Sequence, residues 1–187
     1  VDPVGTNNMT LEDNRTAKEI FMYYGGSHFF MDREGDYERY KSFYVSQEQE
    51  RDWYSELQAN LLAKLDADPA DTDSFSDFCR TVIQNKDADA LRLIVLKSKA
   101  IHDHIDSFTK LLMAEQFLRV IDGFGMKTTN SDVLQAYDTA IEFLNEVLKQ
   151  PITVAPRYRD NGYLQDVIRA QKIIERAEKA LKKWTRK

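Results

Sequence analysis

The chain has 187 residues, of which 42% are hydrophobic and 30% charged, with a net charge of −5 and a single cysteine, Cys79. That composition is too apolar for disorder, and it offers no intramolecular disulfide, no apolar run of membrane-spanning length and no overall basic charge for general nucleic-acid binding. A chain of this length buries roughly two thirds of its unfolded surface without metal or disulfide, so the expectation is one all-α domain over residues 9–187, or two intimately packed helical halves. A single free cysteine points to a reducing, cytoplasmic setting, and residues 1–8, polar and rich in turn formers, read as an artificial linker or disordered leader.

Helical periodicity dominates, and strand alternation is absent. The first helix is expected to start after Thr10, with Thr10 and Asp13 at capping-box spacing. It runs through Ala17, Ile20, Tyr24 and Met31 to a left-handed cap near Gly35. Gly25-Gly26-Ser27 interrupts it. Each glycine costs about 1 kcal/mol against alanine inside a helix, so the pair predicts a break or a close approach by another group. Residues 36–44 give a turn or two of helix. Ser46 and Gln49 then form a capping box for a helix with Trp53, Leu57, Leu61 and Leu65 on one face.

An acidic loop follows over residues 66–73. Ser74 and Asp77 are read as the cap of a short helix carrying Phe75, Phe78, Val82 and Ile83. Asp87 is read as the N-cap of the longest, central helix, in which Leu91, Ile94, Ile101, Ile105, Phe108 and Leu112 recur at three- and four-residue steps and Ile121 extends the face. Gly123-Phe124-Gly125 ends it. Thr129 or Ser131 caps the next, with the stripe Val133, Tyr137, Ile141, Leu144 and Leu148. Gln150-Pro151 stops that helix, a loop runs past Pro156 to Asn161-Gly162, and the last helix carries Leu164, Ile168, Ile174, Ala177, Leu181 and Trp184. The sum is an irregular or antiparallel bundle of about six helices, with no repeat period that would make a solenoid.

Eleven of the 21 aromatic residues lie between Phe21 and Tyr54. Aromatics combine large contact area with, in Tyr and His, a polar end, so this cluster is either one end of the core or a partner-binding surface. Its candidate binding residues are Tyr24, His28, Arg33, Tyr37 and Tyr40. His28 is the proton-exchanging group, Arg33 an anion or carboxylate holder unless Glu34 occupies it, and the tyrosines supply hydroxyls.

His102-Asp103, with His104 and Asp106, resembles the His-Asp pair of the HD-domain metal-dependent phosphohydrolases, which are also all-helical. The resemblance covers two residues. It departs from that family where Lys97-Ser98-Lys99-Ala100-Ile101 stands in place of large apolar residues, and the upstream histidine would have to be His28. His102 and His104 would also point about 100° or more apart on a helix, poorly placed to chelate one ion from one face. Asp138, Glu142, Asn145 and Glu146 form a carboxylate stripe similar to the magnesium-binding helices of all-helical nucleotide pyrophosphatases, with Glu175 and Glu178 as the candidate facing pair. Such a stripe is also the solvated side of an amphipathic helix. Cys79, between Phe78 and Arg80 with no nearby histidine, reads as core.

From Pro151 onward, ten basic and four acidic residues leave this tail at about +6 and the remainder at about −11. The tail is read as a solvated basic final helix, with a site for an acidic partner as the alternative. The function expected is non-enzymatic: a helical protein that binds another protein or itself, without cofactor or metal. The alternative is a metal-dependent phosphohydrolase.

Overall fold

Where the backbone can make helix and where it must turn explains the N-terminal third. The computed structural model describes residues 11–125 and 130–185, so Thr10 and the leader at residues 1–8 lie outside the described residues. Among these residues there are ten α-helices and no strand. The chain divides into two compact units, Val1–Ala63 and Lys64–Lys187.

In the first unit, α1 (Leu11–Tyr23) and α2 (His28–Glu34) replace the single interrupted helix expected up to Gly35. Gly25 and Gly26 both take positive φ, 58° and 72°, which L side chains rarely adopt. Ser27 restarts the helix by accepting a hydrogen bond from the Phe30 N–H. Gly26 also meets a close neighbour: a Cβ there would lie 2.4 Å from the Tyr54 ring, whose hydroxyl donates to the Gly26 carbonyl at 2.7 Å. The glycine pair therefore serves both expected purposes. Gly35 is the left-handed cap that ends α2. After α3 (Tyr37–Lys41), α4 (Gln47–Ala67) begins with the expected capping box. The Ser46 N–H donates to Gln49 Oε1 at 2.9 Å, and the Gln49 N–H donates to Ser46 Oγ at 3.2 Å. The core of this unit is Ala17, Ile20, Phe21, Met31, Tyr40 and Trp53. Phe21 is at its centre, with ring neighbours Trp53 at 5.4 Å and Tyr54 at 4.8 Å, both edge-on.

In the second unit, α5 (Thr72–Asn85) starts earlier than the Ser74 cap anticipated. Asp71, assigned to the acidic loop, is the true cap: its side chain accepts from the Asp73 and Ser74 N–H groups and from the Ser74 hydroxyl. Asp87 caps α6 (Ala88–Ile101) as expected, through the Ala90 N–H.

The long central helix is corrected. It is two helices, α6 and α7 (Ser107–Phe124), separated by a 3-10 turn at His102–His104 and an extended Ile105. Asp106 accepts from the Phe108 and Thr109 N–H groups and from the Thr109 hydroxyl, satisfying donors that an uninterrupted helix would have bonded internally. The apolar steps continue in phase across the break, which is why periodicity alone reads one helix. The longest helix is instead α4, with 21 residues. The centre of this unit is α7, buried from Ser107 to Leu111 and again at Met113, Ala114, Phe117, Leu118, Val120 and Ile121. It packs against α5, α8 and α10, while α8 (Ser131–Lys149) also packs against α6 and α10. Asn130, rather than Thr129 or Ser131, caps α8; Thr129 lies outside the described residues.

A short α9 (Pro156–Arg159) occupies the expected loop, and α10 begins at Ala170 rather than near Leu164, running to Trp184. Leu164 is in a 3-10 turn after Asn161, whose side chain accepts from the Tyr163 N–H. The intervening strap is tied down. Ser107 and Thr153 exchange hydrogen bonds between each backbone N–H and the other's hydroxyl at 3.1 and 3.0 Å, and Arg157 donates twice to Asp68 at 2.6 and 3.0 Å. No described helix is long and apolar enough to cross a membrane.

Candidate functional site

The aromatic window splits into an inner and an outer set. Tyr40 is buried, at 3% exposure, and belongs to the core of the first unit. Its hydroxyl donates to Glu50 Oε1 at 2.7 Å, and His28 Nε2 lies 2.9 Å from the same oxygen. A carboxylate only accepts, so Nε2 carries the hydrogen. The His28 ring lies 5.3 Å from that of Tyr37 and 5.6 Å from that of Tyr40. Burial, reinforced by the Glu50 hydrogen bond, pushes the Tyr40 hydroxyl well above the ordinary tyrosine range. Tyr40 is therefore a structural tie that holds its proton.

Tyr24 makes a second tie of the same kind, donating to Asp36 Oδ2 at 2.6 Å. That hydrogen bond, with lesser help from burial and the Asp36 charge, pushes the Tyr24 hydroxyl up to about 12. Arg33 does not join this group: it is exposed, bonds Glu34 at 2.8 Å and lies over the Phe30 ring at 5.0 Å. The structure thus brings His28 and Tyr40 together on Glu50 with Tyr37 against the His28 ring, ties Tyr24 to Asp36, and leaves Arg33 apart.

Three aromatics of the same window have no cover. Tyr23 is 82% exposed, Phe29 70% and Tyr44 73%. Tyr44 also holds φ at 51°, a backbone state that costs a non-glycine residue roughly 1 kcal/mol or more. Glu50 and the exposed trio were missed in the sequence. Glu50 had a signal: at three and four residues before Trp53 and Tyr54 it falls on the apolar face of α4, where a charge needs a partner. The trio had none, since Tyr23 and Tyr24 are adjacent and alike.

The His-Asp segment forms the turn between α6 and α7. His102 Nδ1 bonds the Lys99 carbonyl at 3.1 Å, and Nε2 lies 3.1 Å from Asp103, while His104 is exposed. On the carboxylate stripe, Glu146 is engaged by Lys110 at 2.5 Å, Asn145 bonds the Ile141 carbonyl, and Asp138 and Glu142 face solvent. No group of three or more His, Cys, Asp or Glu that could hold a metal occurs among the described residues. Cys79 is buried, and burial alone raises its thiol far above the ordinary range, so it is an inert core residue.

The two cavities of note lie in the second unit. One, of about 500 Å³, is bounded by the start of α5, by Phe108 and by Tyr158, whose hydroxyl lies 3.1 Å from Thr72 Oγ1 and 3.4 Å from Thr109 Oγ1. Its guanidinium groups, Arg157 and Arg176, are already paired with Asp68 and Glu115. The other is the groove between α7 and α10. No protein-family model, no curated protein and no solved structure matches this chain.

Proposed function

We propose that the chain is a non-catalytic protein-binding module that engages its partner, a second protein chain, through the uncovered aromatics of its first unit. The observation that carries this reading is the exposure of Tyr23, Phe29 and Tyr44, between 70% and 82%, in a unit whose other aromatics are packed or hydrogen-bonded. Tyrosine and phenylalanine provide large contact area at low entropic cost, and tyrosine adds a hydroxyl that hydrates in the free state and bonds in the bound one. The strained backbone at Tyr44 supports the same reading, because a glycine or asparagine would hold that turn more cheaply. Of the residues singled out in the sequence, Arg33 remains a surface contributor, its guanidinium stacked on Phe30. Tyr24 packs edge-on against Tyr23 at 4.9 Å, and His28, Tyr37 and Tyr40 form a separate group of ring contacts and hydrogen bonds in the same unit. The phosphohydrolase alternative has no three-ligand group among the described residues to support it.

A photo-crosslinking amino acid at position 29 tests the proposal in cells and in the purified protein. The expected result is one or a few discrete adducts, with the chain itself or with another protein. Their yield should fall about tenfold when Tyr23 and Tyr44 are changed to serine, given one hot-spot side chain's worth of binding energy. An adduct pattern that does not respond to those substitutions, in a variant with unchanged helical circular dichroism, would remove the proposal.

A further inference from the structure

Arg176 and Lys183 on α10 meet Glu115 and Asp122 on α7 in the same order along both helices, so the two run in the same direction with a valley between them. The valley is an open groove of about 440 Å³. At one end Arg176 holds Glu115 in a two-pronged ion pair at 2.6 and 3.1 Å. At the other, Lys183 lies 3.8 Å from Asp122 and over the ring of Trp184. Between these pairs, Arg119 and Lys179 also line the groove. Both are exposed, and neither makes an ion pair or hydrogen bond within the described residues. The groove thus holds four cations against two carboxylates, inside a protein whose net charge is −5.

Two like charges lining one groove without a counter-charge repel each other and attract an anion from solvent. Ordinary helix surfaces relieve this by placing an acid three or four residues away. Here Glu115 and Asp122, at those positions from Arg119, are turned to the flanking cations instead, and Glu175, four residues before Lys179, is paired with Lys172. Leu118, Ala180 and Trp184 line the remainder and give an apolar lip against which the body of a ligand can rest. A planar guanidinium with a fork of donors and an ammonium lining the same groove suit a compact dianion with several acceptor oxygens, whereas one carboxylate would neutralise only one of the two.

We propose that the α7–α10 groove is a binding site for a phosphate monoester, with Arg119 and Lys179 holding the phosphate and Trp184 packing against what carries it. The site is separate from the aromatic surface of the first unit and does not depend on it. It gives the basic C-terminal helix a use beyond solubility, through Lys179 on that helix and Arg119 on α7 rather than through its total charge.

The test is a titration of the ¹⁵N-labelled chain with inorganic phosphate and, separately, with a short phosphoserine peptide, ionic strength being held constant with chloride. The indole N–H of Trp184 is the reporter. The expected result is a saturable shift. Arg119→Gln with Lys179→Gln should weaken it about tenfold or more, while a charge-matched pair elsewhere in the second unit, Lys99→Gln with Lys182→Gln, changes it by less than about threefold. A shift that stays linear in phosphate, or an equal loss in the charge-matched control, overturns the proposal. If the double variant loses helical signal, Lys179→Glu alone is read by the same criteria. Binding of the peptide at least about tenfold tighter than inorganic phosphate places the source on a phosphorylated protein; equal binding places it on a small phosphorylated molecule.

Discussion

The two units solve the problem of burial in opposite ways. The first has few residues with which to enclose a core, and it fills that core with large rings: Phe21, Tyr40 and Trp53 are buried, and Tyr24, Tyr37 and Tyr54 pack around them. Rings supply area per residue, but their hydroxyls must be satisfied, so Glu50, Asp36 and the Gly26 carbonyl each take one. The second unit is larger and is organised around one helix, α7, enclosed by α5, α8 and α10. Its core is mainly aliphatic and phenylalanine, and its polar business is done by charges at the margin, such as Arg92 with Asp132 and Lys110 with Glu146. The contrast teaches that an aromatic-rich sequence window does not by itself mark a site. A small unit needs those residues to fold, and only the rings left over are available to a partner.

The largest test of that contrast is Phe21→Ala. Phe21 is fully buried and touches three other rings, so its loss should cost about 3–5 kcal/mol. Chemical denaturation followed by the fluorescence of Trp53, edge-on to Phe21, gives the number. A loss below about 1 kcal/mol would mean that the rings are not a cooperative core and that the comparison fails.

In the second unit the matching test is electrostatic. The Lys110 side chain is only 8% exposed and Glu146 is its close counter-charge. Glu146→Gln leaves a largely buried ammonium unpaired, which should cost about 3 kcal/mol. The double change Lys110→Met, Glu146→Leu should recover most of that loss, because it removes both charges and keeps the volume. If the double variant is as unstable as the single one, the pair is held for shape and the account of a charge-managed margin is wrong.

What could be read from the sequence divides along the same physical lines. Ser46 with Gln49, and Asp87, were legible as caps because the side chain satisfies a backbone group no more than three residues away, within its own segment. The all-helical class was legible from periodicity. The break between α6 and α7 was not, since the apolar steps run through it without glycine or proline. Asp106, the residue that makes the break, also fits the helical spacing of His102. At the aromatic cluster, Tyr23 and Tyr40 are the same residue type in similar company, and their opposite burial is decided by Trp53 and Tyr54 on α4. No local signal carries that information. The ties of His28 and Tyr40 to Glu50 are long-range for the same reason, although the placement of Glu50 on an apolar face was a visible clue.

The hydroxyl ties of the first unit make a final and smaller claim, about pH. Tyr24 donates to Asp36, and its ionisation is raised from 10.0 to about 12 in the folded chain. Below pH 10 the tyrosine is protonated whether the chain is folded or not, and its contribution to stability is fully present. As pH rises from 10 towards 12, the unfolded chain gives up the proton first, so unfolding is favoured and the contribution is lost. Tyr24→Phe removes the hydrogen bond at neutral pH and also removes that alkaline loss. The variant should begin slightly less stable than the parent, and the two denaturation midpoints should converge between pH 10 and 12. Because this tie is near solvent, the effect is smaller than that of the Phe21 and Glu146 changes. Curves that stay parallel across that range would mean that Asp36 does not hold the Tyr24 proton. The aromatic unit would then be fastened by its ring packing and by the Tyr40 and Tyr54 hydroxyl ties.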